Sequence, residues 1–372
     1  MHAPRLVVTK AHSSLRDEVA AVAELVVQLN AADASAVLFF CSPHYDLVKL
    51  GRALAQAFPA PLAGCTTAGQ IGEHGYVDGG ITAVSLSSAE LRVKPYLISS
   101  LTDSTQATEV GYRAAVDLVR GAPAKGFGLL LIDGLSNAEE RIAAALSEAL
   151  ADIPVVGGSA ADDLMNTRAC VYYEGEFLSS AAVFVLFDTT LPFATFKVQH
   201  VVPGQQKLVI TEADSEQRIV YEINGKQASL EYAARIGIDR ALLDPEVCAA
   251  NPLLLSTGGE HFVRGVRAVN PDGSLSFYCA VEVGLVLSLG TPISPLAALE
   301  AGFATIDQRV PQPAIVIGFD CVLRRREFER RGEQAAVGAF LASHQVVGFC
   351  TYGEQFDALH MNQTFAAVAL GS

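Results

Sequence analysis

The sequence has 372 residues, with 26 Lys and Arg against 40 Asp and Glu, and a formal net charge of −14. Hydrophobic residues make up 51% of the chain and charged residues 18%. This composition supplies a large core and excludes disorder over the bulk of the chain. The negative charge argues against nucleic acid and anionic membrane surfaces, because both partners require a basic face.

The apolar residues occur in short runs, which are typical of buried strands and too short to cross a membrane. Ser180–Phe187 and Leu285–Leu289 are among the longest runs, against the roughly 20 residues of a spanning helix. No signal-peptide pattern is visible at the start of the sequence. Seven cysteines lie far apart without a CxxC pair, which argues against a zinc ribbon and a disulfide scaffold. We therefore expect a soluble, cytoplasmic protein.

One order of elements occurs three times along the chain. Each copy has a predicted strand, a helix, a second strand and a returning strand. In the first copy these segments are Ala36–Cys41, Asp46–Phe58, Pro61–Gly69 and Gly80–Leu86. In the second they are Phe127–Asp133, Asn137–Leu150, Pro154–Ala160 and Ala181–Leu186. In the third they are Ala314–Gly318, Glu327–Leu341, Val346–Tyr352 and Thr364–Leu370.

The internal spacing supports a real relation between the first two copies. Leu38 precedes Gly64 by 26 positions, and Leu131 precedes Gly157 by 26 positions. The equivalent distance in the third copy is 31 positions and ends at Gly348. Strand–helix–strand units with returning strands predict an α/β fold of layered mixed sheets with right-handed crossovers. Chance similarity among apolar strands is the alternative.

Small residues follow the second predicted strand of every copy, in the segments Gly64–Thr67, Gly157–Ala160 and Gly348–Tyr352. Glycine lets a backbone approach a ligand closely, and hydroxyl groups supply hydrogen-bond donors. Ligands of open α/β sheets bind outside the carboxyl ends of strands, so three equivalent turns favour a shared pocket. Each turn taken singly is more typical of a tight connection without a ligand.

A β-rich stretch of about 193–289 separates the second copy from the third, with turn signals at Asn224-Gly225 and Pro271–Gly273. We predict a boundary near residues 222–230, which gives a first domain of residues 1–222 and a second domain of residues 223–372. The C-terminal half is expected to be rich in strands. No low-complexity linker is present, so the two domains are expected to pack closely.

Common catalytic signatures are absent, including the GxSxG elbow, the Walker A loop, HExxH and GxGxxG after a strand. Cys41, Cys65 and Cys350 lie at predicted strand ends, where a nucleophile could stand. Cysteine is nevertheless one of the most commonly buried residues, and the sequence assigns no partner base. The sequence therefore predicts that the chain is not an enzyme.

Two charged motifs allow more than one interpretation. Asp162-Asp163 is typical of a solvated loop or a helix cap, and a cation or ligand site is the alternative. Arg324–Arg326 and Arg330-Arg331 are interleaved with glutamates at helical spacing, which predicts a solvated helix face. A docking surface or an anion site is the alternative for this basic run.

His200 differs from the other histidines because it ends an apolar predicted strand that begins at Phe193. A neutral imidazole in apolar, aromatic surroundings suits an axial ligand of haem iron. A hydrogen-bonded histidine on a sheet face is the alternative.

Several of these segments together resemble FIST-domain sensory proteins, in the order FIST-N then FIST-C over nearly the whole chain. The C-terminal signature of that family is carried by Gly348–Gln355 and His360–Thr364. Supporting segments are Gly64–Gly69, Gly79–Ala83, Pro154–Ala160, Phe262–Arg264, Asp272–Leu275 and Phe319–Cys321.

The resemblance implies a small-ligand sensor in signal transduction. The segments similar to a bacterial subgroup that binds haem and senses nitric oxide are Leu38–Pro43, Val198–Pro203, Lys207–Thr211 and Arg218–Glu222. On this resemblance we expect haem b with His200 as its metal ligand and nitric oxide as the gas ligand. The expected partner is a histidine kinase or a cyclic-di-GMP pathway, without nucleic acid or membrane insertion, and a homodimer is left open.

A haem-free sensor of an amino-acid-like molecule is the alternative function. Glu354 would pair with an amine, and the amides of the small-residue turns would take a carboxylate. The predicted ligand-binding residues are Cys65, Thr66, Thr67, Ser159, Tyr352, Glu354 and Asn362. A third hypothesis, an enzyme that uses Cys65 or Cys350, is the least favoured.

Overall fold

The computed structural model describes residues 5–101, 109, 125–150 and 152–372. Helices account for 25% and strands for 42% of the structure. This confirms the predicted α/β class with mixed sheets and a β-rich C-terminal half. The three predicted copies are three units of the fold, and the β-rich stretch is an insertion within the third unit.

The first two units follow one another along the chain. The first contains β1 (Val7–Ser13), α1 (Glu18–Leu29), β2 (Ala36–Cys41), α2 (Leu47–Ala57), β3 (Leu62–Thr66), β4 (Gln70–Gly72), β5 (Gly75–Val77) and β6 (Ile81–Ser87). The second contains β7 (Leu91–Ile98), β8 (Gly126–Asp133), α3 (Glu139–Leu150), β9 (Val155–Ala160), β10 (Val171–Tyr173), β11 (Glu176–Leu178) and β12 (Ala182–Thr189).

The third unit begins with β13 (Phe193–Gln199) and is interrupted by the insertion. The insertion contains β14 (Val201–Asp214), β15 (Ile219–Ile223), β16 (Lys226–Gln227), α4 (Ala228–Ile236), a 3-10 turn (Arg240–Leu242), α5 (Pro245–Ala250), β17 (Leu253–Thr257), β18 (Glu260–Arg264), β19 (Val266–Val269), β20 (Leu275–Phe277) and β21 (Val286–Pro292). The unit then continues with α6 (Pro295–Asp307), β22 (Ile315–Cys321), α7 (Val322–Arg331), α8 (Gln334–Ser343), β23 (Val346–Thr351), β24 (Glu354–Phe356), β25 (Leu359–Met361) and β26 (Thr364–Leu370).

Each unit builds its sheet around one parallel pair of strands. The pairs are β2–β3, β8–β9 and β22–β23, and the strands of each pair are joined through helices. The returning strands β6, β12 and β26 lie antiparallel to the first strand of each pair. The predicted strand–helix–strand units with returning strands are therefore present in all three copies.

The three units exchange β-hairpins in a cycle. Hairpin β4–β5 of the first unit pairs with β23 of the third, and β10–β11 of the second pairs with β3 of the first. Hairpin β24–β25 of the third unit pairs with β9 of the second, so each of these sheets has six strands. The chain crosses from one sheet to the next in residues 67–69, 161–170 and 352–353, which we call the junction.

The sheets share one core and each carries helices on its other face. Leu38 and Phe40 of β2 point into a cluster with residues of the second and third units, among them Leu129 of β8 and Ile317 of β22. Phe39, between them, packs with α1 and α2 on the opposite face. Burial on both faces explains why these strands read as continuous apolar runs. The insertion has a separate apolar cluster of its own.

The prediction that the glycines of the small-residue segments lie in turns after the strands is wrong, because they lie inside strands β3, β9 and β23. A Cβ at Gly157 would come within 2.0 Å of the Leu130 carbonyl oxygen, and one at Gly348 within 1.7 Å of the Gly318 oxygen. At Gly64 the distance to the Phe39 oxygen would be 2.3 Å. These glycines let two parallel strands approach each other and do not face a ligand.

One further difference concerns the third unit. The single helix predicted for residues 327–341 is two helices, α7 and α8, separated at Gly332, which has a φ of 67°. The predicted boundary at residues 222–223 falls at the end of β15. Among the described residues, no helix has the length and apolarity needed to span a membrane.

Candidate functional site

The seven predicted ligand-binding residues lie at or beside the junction, and the exposed fraction of each is 1% or less. Their polar atoms bond to the protein itself. The Thr66 hydroxyl accepts from the Cys170 amide at 2.9 Å. The Thr67 hydroxyl donates to the Cys41 carbonyl at 3.2 Å and accepts from the Gln70 amide at 2.8 Å. Both threonines therefore tie the crossing strands together.

The remaining polar residues of this set connect the second and third units. Ser159 accepts a hydrogen bond from the Gln355 side chain at 2.9 Å. The Tyr352 hydroxyl donates to Asp162. Asn362 donates to the Tyr352 carbonyl at 3.2 Å and accepts from the Gly265 amide at 3.0 Å. These contacts hold the exchanged hairpin β24–β25 against the second unit and the insertion against the third unit.

Glu354 is fully buried, and burial raises the pKa of its carboxyl to about 8. The carboxyl accepts hydrogen bonds from the Thr351 hydroxyl and, at 3.1 Å, from the Thr364 amide. At neutral pH the group is largely protonated, so it does not present a permanent negative charge to an amine.

The candidate nucleophiles are buried thiols. Burial raises the pKa of Cys41 and Cys65 well above its usual range, and that of Cys350 to about 12. All seven cysteines are free. A thiol attacks as its thiolate, so these positions lack the electropositive, accessible setting of a reactive cysteine.

His200 is 0% exposed, and both of its ring nitrogens are occupied. Nδ1 lies 2.9 Å from an Arg324 nitrogen, and Nε2 lies 2.8 Å from a Glu327 oxygen. Arginine only donates, so Nδ1 accepts and Nε2 carries the proton that goes to Glu327. Burial lowers the pKa of this imidazole, in keeping with a neutral ring. The residues around His200 do not fit a haem, because neither nitrogen is free for iron.

The basic run does not form one solvated face. Arg324 is 0% exposed and pairs with Asp320 at 2.7 Å. Arg325 is 5% exposed, whereas the side chain of Arg326 is 46% exposed. The first two arginines of the run turn inward because α7 starts directly at the end of β22 and packs onto the junction. The expectation of a solvated helix face is therefore wrong for Arg324 and Arg325.

The arginine cleft is a surface depression of about 200 Å³ lined by Ala68, Asp78, Asp163, Val322, Arg325 and Glu329, among others. One Arg325 nitrogen, Nη2, lies 2.7 Å from both oxygens of Asp78. The Asp78 side chain is 78% exposed, while that of Arg325 is 6% exposed. Asp78 also lines an adjoining cleft of about 540 Å³ that contains His44 and Gly79.

The aspartate pair at the junction divides between two roles. Asp162 is buried and accepts from the backbone amides of Asn166, Thr167 and Arg168, so it orders a buried loop and neither faces solvent nor caps a helix. Asp163 faces the arginine cleft, where its carboxylate lies 3.4 Å from the His44 ring. Burial raises the pKa of Asp163.

A second polar cluster was not predicted from the sequence. The side-chain donor atoms of Glu140, Cys279 and His360 all lie within 4.8 Å of one another. Burial acts to lower the pKa of His360, but Cys279 and Glu140 raise it to about 9. Glu140 and the buried Glu139 both pair with Arg218 at 2.6 Å. These residues lie far apart in sequence, so no spacing pattern could have indicated the cluster.

Comparison with known proteins adds family and fold relationships. The FIST N domain matches residues 35–226, and the FIST C domain matches residues 228–357. No curated protein matches the chain. Two solved structures are similar over nearly its full length at 9% identity. One is described as a cyanuric acid hydrolase formed by structural concatenation, with 100% of both chains covered and a TM-score of 0.38. The other is the cyanuric acid hydrolase of A. caulinodans, with 99% of both chains covered and a TM-score of 0.37.

Both solved structures are described as hydrolases, and the prediction that this chain is not an enzyme is withdrawn. The prediction rested on missing sequence motifs. Catalytic groups are defined by their geometry and roles, and the same constellation occurs on unrelated sequences. A missing motif is therefore no ground for excluding catalysis.

Proposed function

Because the chain belongs to the FIST family, whose domains are sensory and ligand-binding, we propose that it senses a small carboxylate-bearing molecule at the arginine cleft. The ligand's carboxylate would bind the Arg325 guanidinium. Asp163 lines the same cleft and suits an amine, whereas Glu329 already pairs with Arg325 at 3.2 Å. Amino-acid-like molecules are therefore the favoured class.

One observation carries this proposal: the nearly buried Arg325 holds an exposed carboxylate of the protein's own. Both oxygens of Asp78 accept from Nη2 of the guanidinium, where a ligand carboxylate could accept in their place, while Nε donates to Glu329 at 3.2 Å. Most of the Asp78 side chain faces solvent, so little packing holds it in place. Asp78 is therefore an internal competitor that a ligand can displace.

Displacement of Asp78 supplies a conformational change. Asp78 joins β5 to β6 and is followed by Gly79 and Gly80, both with positive φ. No atom lies within 4 Å of the position that a Cβ would take at Gly79, so this turn has room to move. A ligand that binds only the displaced form shifts the turn between two positions by its binding energy. A cytoplasmic histidine kinase or a related signalling protein would read that position.

The test uses the full chain with acetate, glycine and L-glutamate as probes, and isothermal calorimetry as the readout. We expect Arg325→Gln to weaken binding by roughly 10- to 100-fold, as for the loss of a charged hydrogen bond. Asp78→Asn should instead tighten acetate binding, by roughly tenfold where the Asp78-bound form dominates. Arg52→Gln, an exposed arginine on α2, is the matched control and should bind as the unmodified chain does.

Whether Asp78→Asn binds acetate more tightly or more weakly than the unmodified chain decides the proposal. A merely structural pair would leave acetate binding unchanged or weakened in Asp78→Asn. Failure of all three probes to bind the unmodified chain and Asp78→Asn would overturn the proposed ligand class. Unfolding temperatures without ligand, measured for each variant, show whether a loss of binding reflects a loss of folding.

A further inference from the structure

Glu140, Cys279 and His360 bring a carboxylate, a thiol and an imidazole together from three parts of the fold. Glu140 lies in the first turn of α3, Cys279 follows β20 of the insertion, and His360 lies in β25 of the third unit. Cys279 and His360 are at most 2% exposed, whereas the Glu140 side chain is 24% exposed. Two members of the cluster are therefore buried, and Glu140 is the member that contacts solvent.

His360 offers a buried nitrogen without a partner. Nε2 has no hydrogen bond, while Nδ1 lies 3.0 Å from the Gln355 amide, which in turn contacts Ser159. Gln355 Oε1 also has no partner. Rotating this amide by 180° places its oxygen where it accepts from Nδ1–H and from the Ser159 hydroxyl. A metal that displaces the Nε2 proton then meets a ring oriented by a partner on its other nitrogen, as metal-bound histidines are.

The charges around the cluster can accommodate a divalent cation. Glu139 and Glu140 contribute two negative charges, which Arg218 and the protonated His360 balance without metal. Coordination would release the protons of Cys279 and His360 to solvent. The two charges of the ion replace these two protons, so the buried group stays neutral, which limits the cost of burying its charges.

From this arrangement we propose that Glu140, Cys279 and His360 form a binding site for Zn²⁺. One sulfur, one imidazole nitrogen and one carboxylate oxygen are a donor set that zinc accepts. Two ligands of a tetrahedral zinc lie roughly 3.3 to 3.8 Å apart, so donor atoms within 4.8 Å need only a small contraction. Glu140 keeps lone pairs for the metal beside its bonds to Arg218 and the Ala280 amide.

The site has three protein ligands and therefore an open fourth position for water or a donor atom of a small molecule. It also joins the second unit, the third unit and the insertion, which otherwise meet through hydrogen bonds such as that from Cys279 to Asn362 at 2.9 Å. The bound ion would thus fasten the insertion to the body of the protein. This inference does not depend on the arginine cleft.

The experiment is a titration of the metal-free full chain with Zn²⁺ against a chromophoric chelator. We expect one Zn²⁺ per chain and a higher unfolding temperature with metal. Cys279→Ser and His360→Gln should each weaken binding by about 100-fold or more. Cys248→Ser, a buried cysteine of the same insertion outside the cluster, should bind as the unmodified chain does.

Cobalt absorption provides a readout on the unmodified chain itself, and unfolding temperatures measured without metal show whether each variant folds. Co²⁺ added to the unmodified chain should give the near-ultraviolet band of a thiolate ligand, and that band should disappear in Cys279→Ser. The absence of stoichiometric Zn²⁺ binding would overturn the proposal. So would a thiolate band that persists in Cys279→Ser or is lost in Cys248→Ser.

Discussion

At the level of single residues, burial decides what the polar groups at the junction can do. Sequence reasoning selected hydroxyl, amide and carboxylate side chains near strand ends, and these do gather at the junction. Burial could not be read from their identity, and it turns Thr66, Thr67 and Asn362 into internal hydrogen-bond partners. The exposed charged partner of a buried arginine, Asp78, was missed because nothing in its local sequence distinguishes it.

Glu354 should make the stability of the protein depend on pH. Its pKa of about 8 in the folded state lies above the ordinary value of 4.5, so folding binds a proton. Stability from this group is fully present below the unfolded pKa and is lost as the pH rises through 8. We expect Glu354→Gln to flatten the decline of the unfolding free energy between pH 5 and 8, by about 1.4 kcal/mol per pH unit at most.

Urea unfolding followed by circular dichroism across that pH range checks the expectation. The matched control is Glu216→Gln, an exposed glutamate that should keep the pH dependence of the unmodified chain. An identical pH profile for Glu354→Gln and the unmodified chain would contradict the raised pKa.

His200 should behave as a structural residue. Removing its ring leaves Arg324 and Glu327 without a buried partner, so His200→Ala should cost more than about 2 kcal/mol of unfolding free energy. Hemin titration of the unmodified chain should give no Soret band that depends on His200. The exposed His44 supplies the control variant, His44→Ala. A Soret band lost only in His200→Ala would show that the ring releases both partners to bind iron.

At the level of elements, periodicity and apolar runs predicted the strand and helix order of all three units. The same patterns misplaced the glycines, because a glycine in a close strand pair and a glycine in a turn look alike in one sequence. They also joined α7 and α8 into one helix, although Gly332 is a left-handed residue that ends α7. Backbone geometry, which one sequence does not display, separates these cases.

Replacing a glycine inside a parallel strand pair, even with alanine, should destabilise the protein. Gly157→Ala places a Cβ 2.0 Å from the Leu130 carbonyl oxygen, so the strands must separate. We expect a loss of about 1–3 kcal/mol or more in unfolding free energy. Gly72→Ala, also in a strand, meets nothing nearer than 3.6 Å and should stay within about 0.5 kcal/mol of the unmodified chain. Equal effects of the two substitutions in chemical denaturation would contradict this account.

At the level of the whole molecule, the threefold repeat was visible in the sequence but the hairpin exchange was not. The exchanged strands are three residues long on each side of a turn, and their partners lie in other units. Gly348, for example, pairs with Ile71, which no local pattern could indicate. The predicted division at residues 222–223 follows local strand and turn signals, which do not register such long-range pairing.

The exchange of hairpins should make the chain fold as one cooperative body. A fragment of residues 1–226 keeps the first two units but lacks β24–β25, which pairs with β9, and β23, which pairs with β4. It also exposes residues such as Leu129 that pack against the third unit in the shared core. We expect one calorimetric transition for the full chain and none for the fragment, because exposed apolar surface and unpaired strand edges remain. Mixing the fragment with residues 227–372 should restore a transition, whereas cooperative unfolding of the fragment alone near the temperature of the full chain would show an independent N-terminal domain.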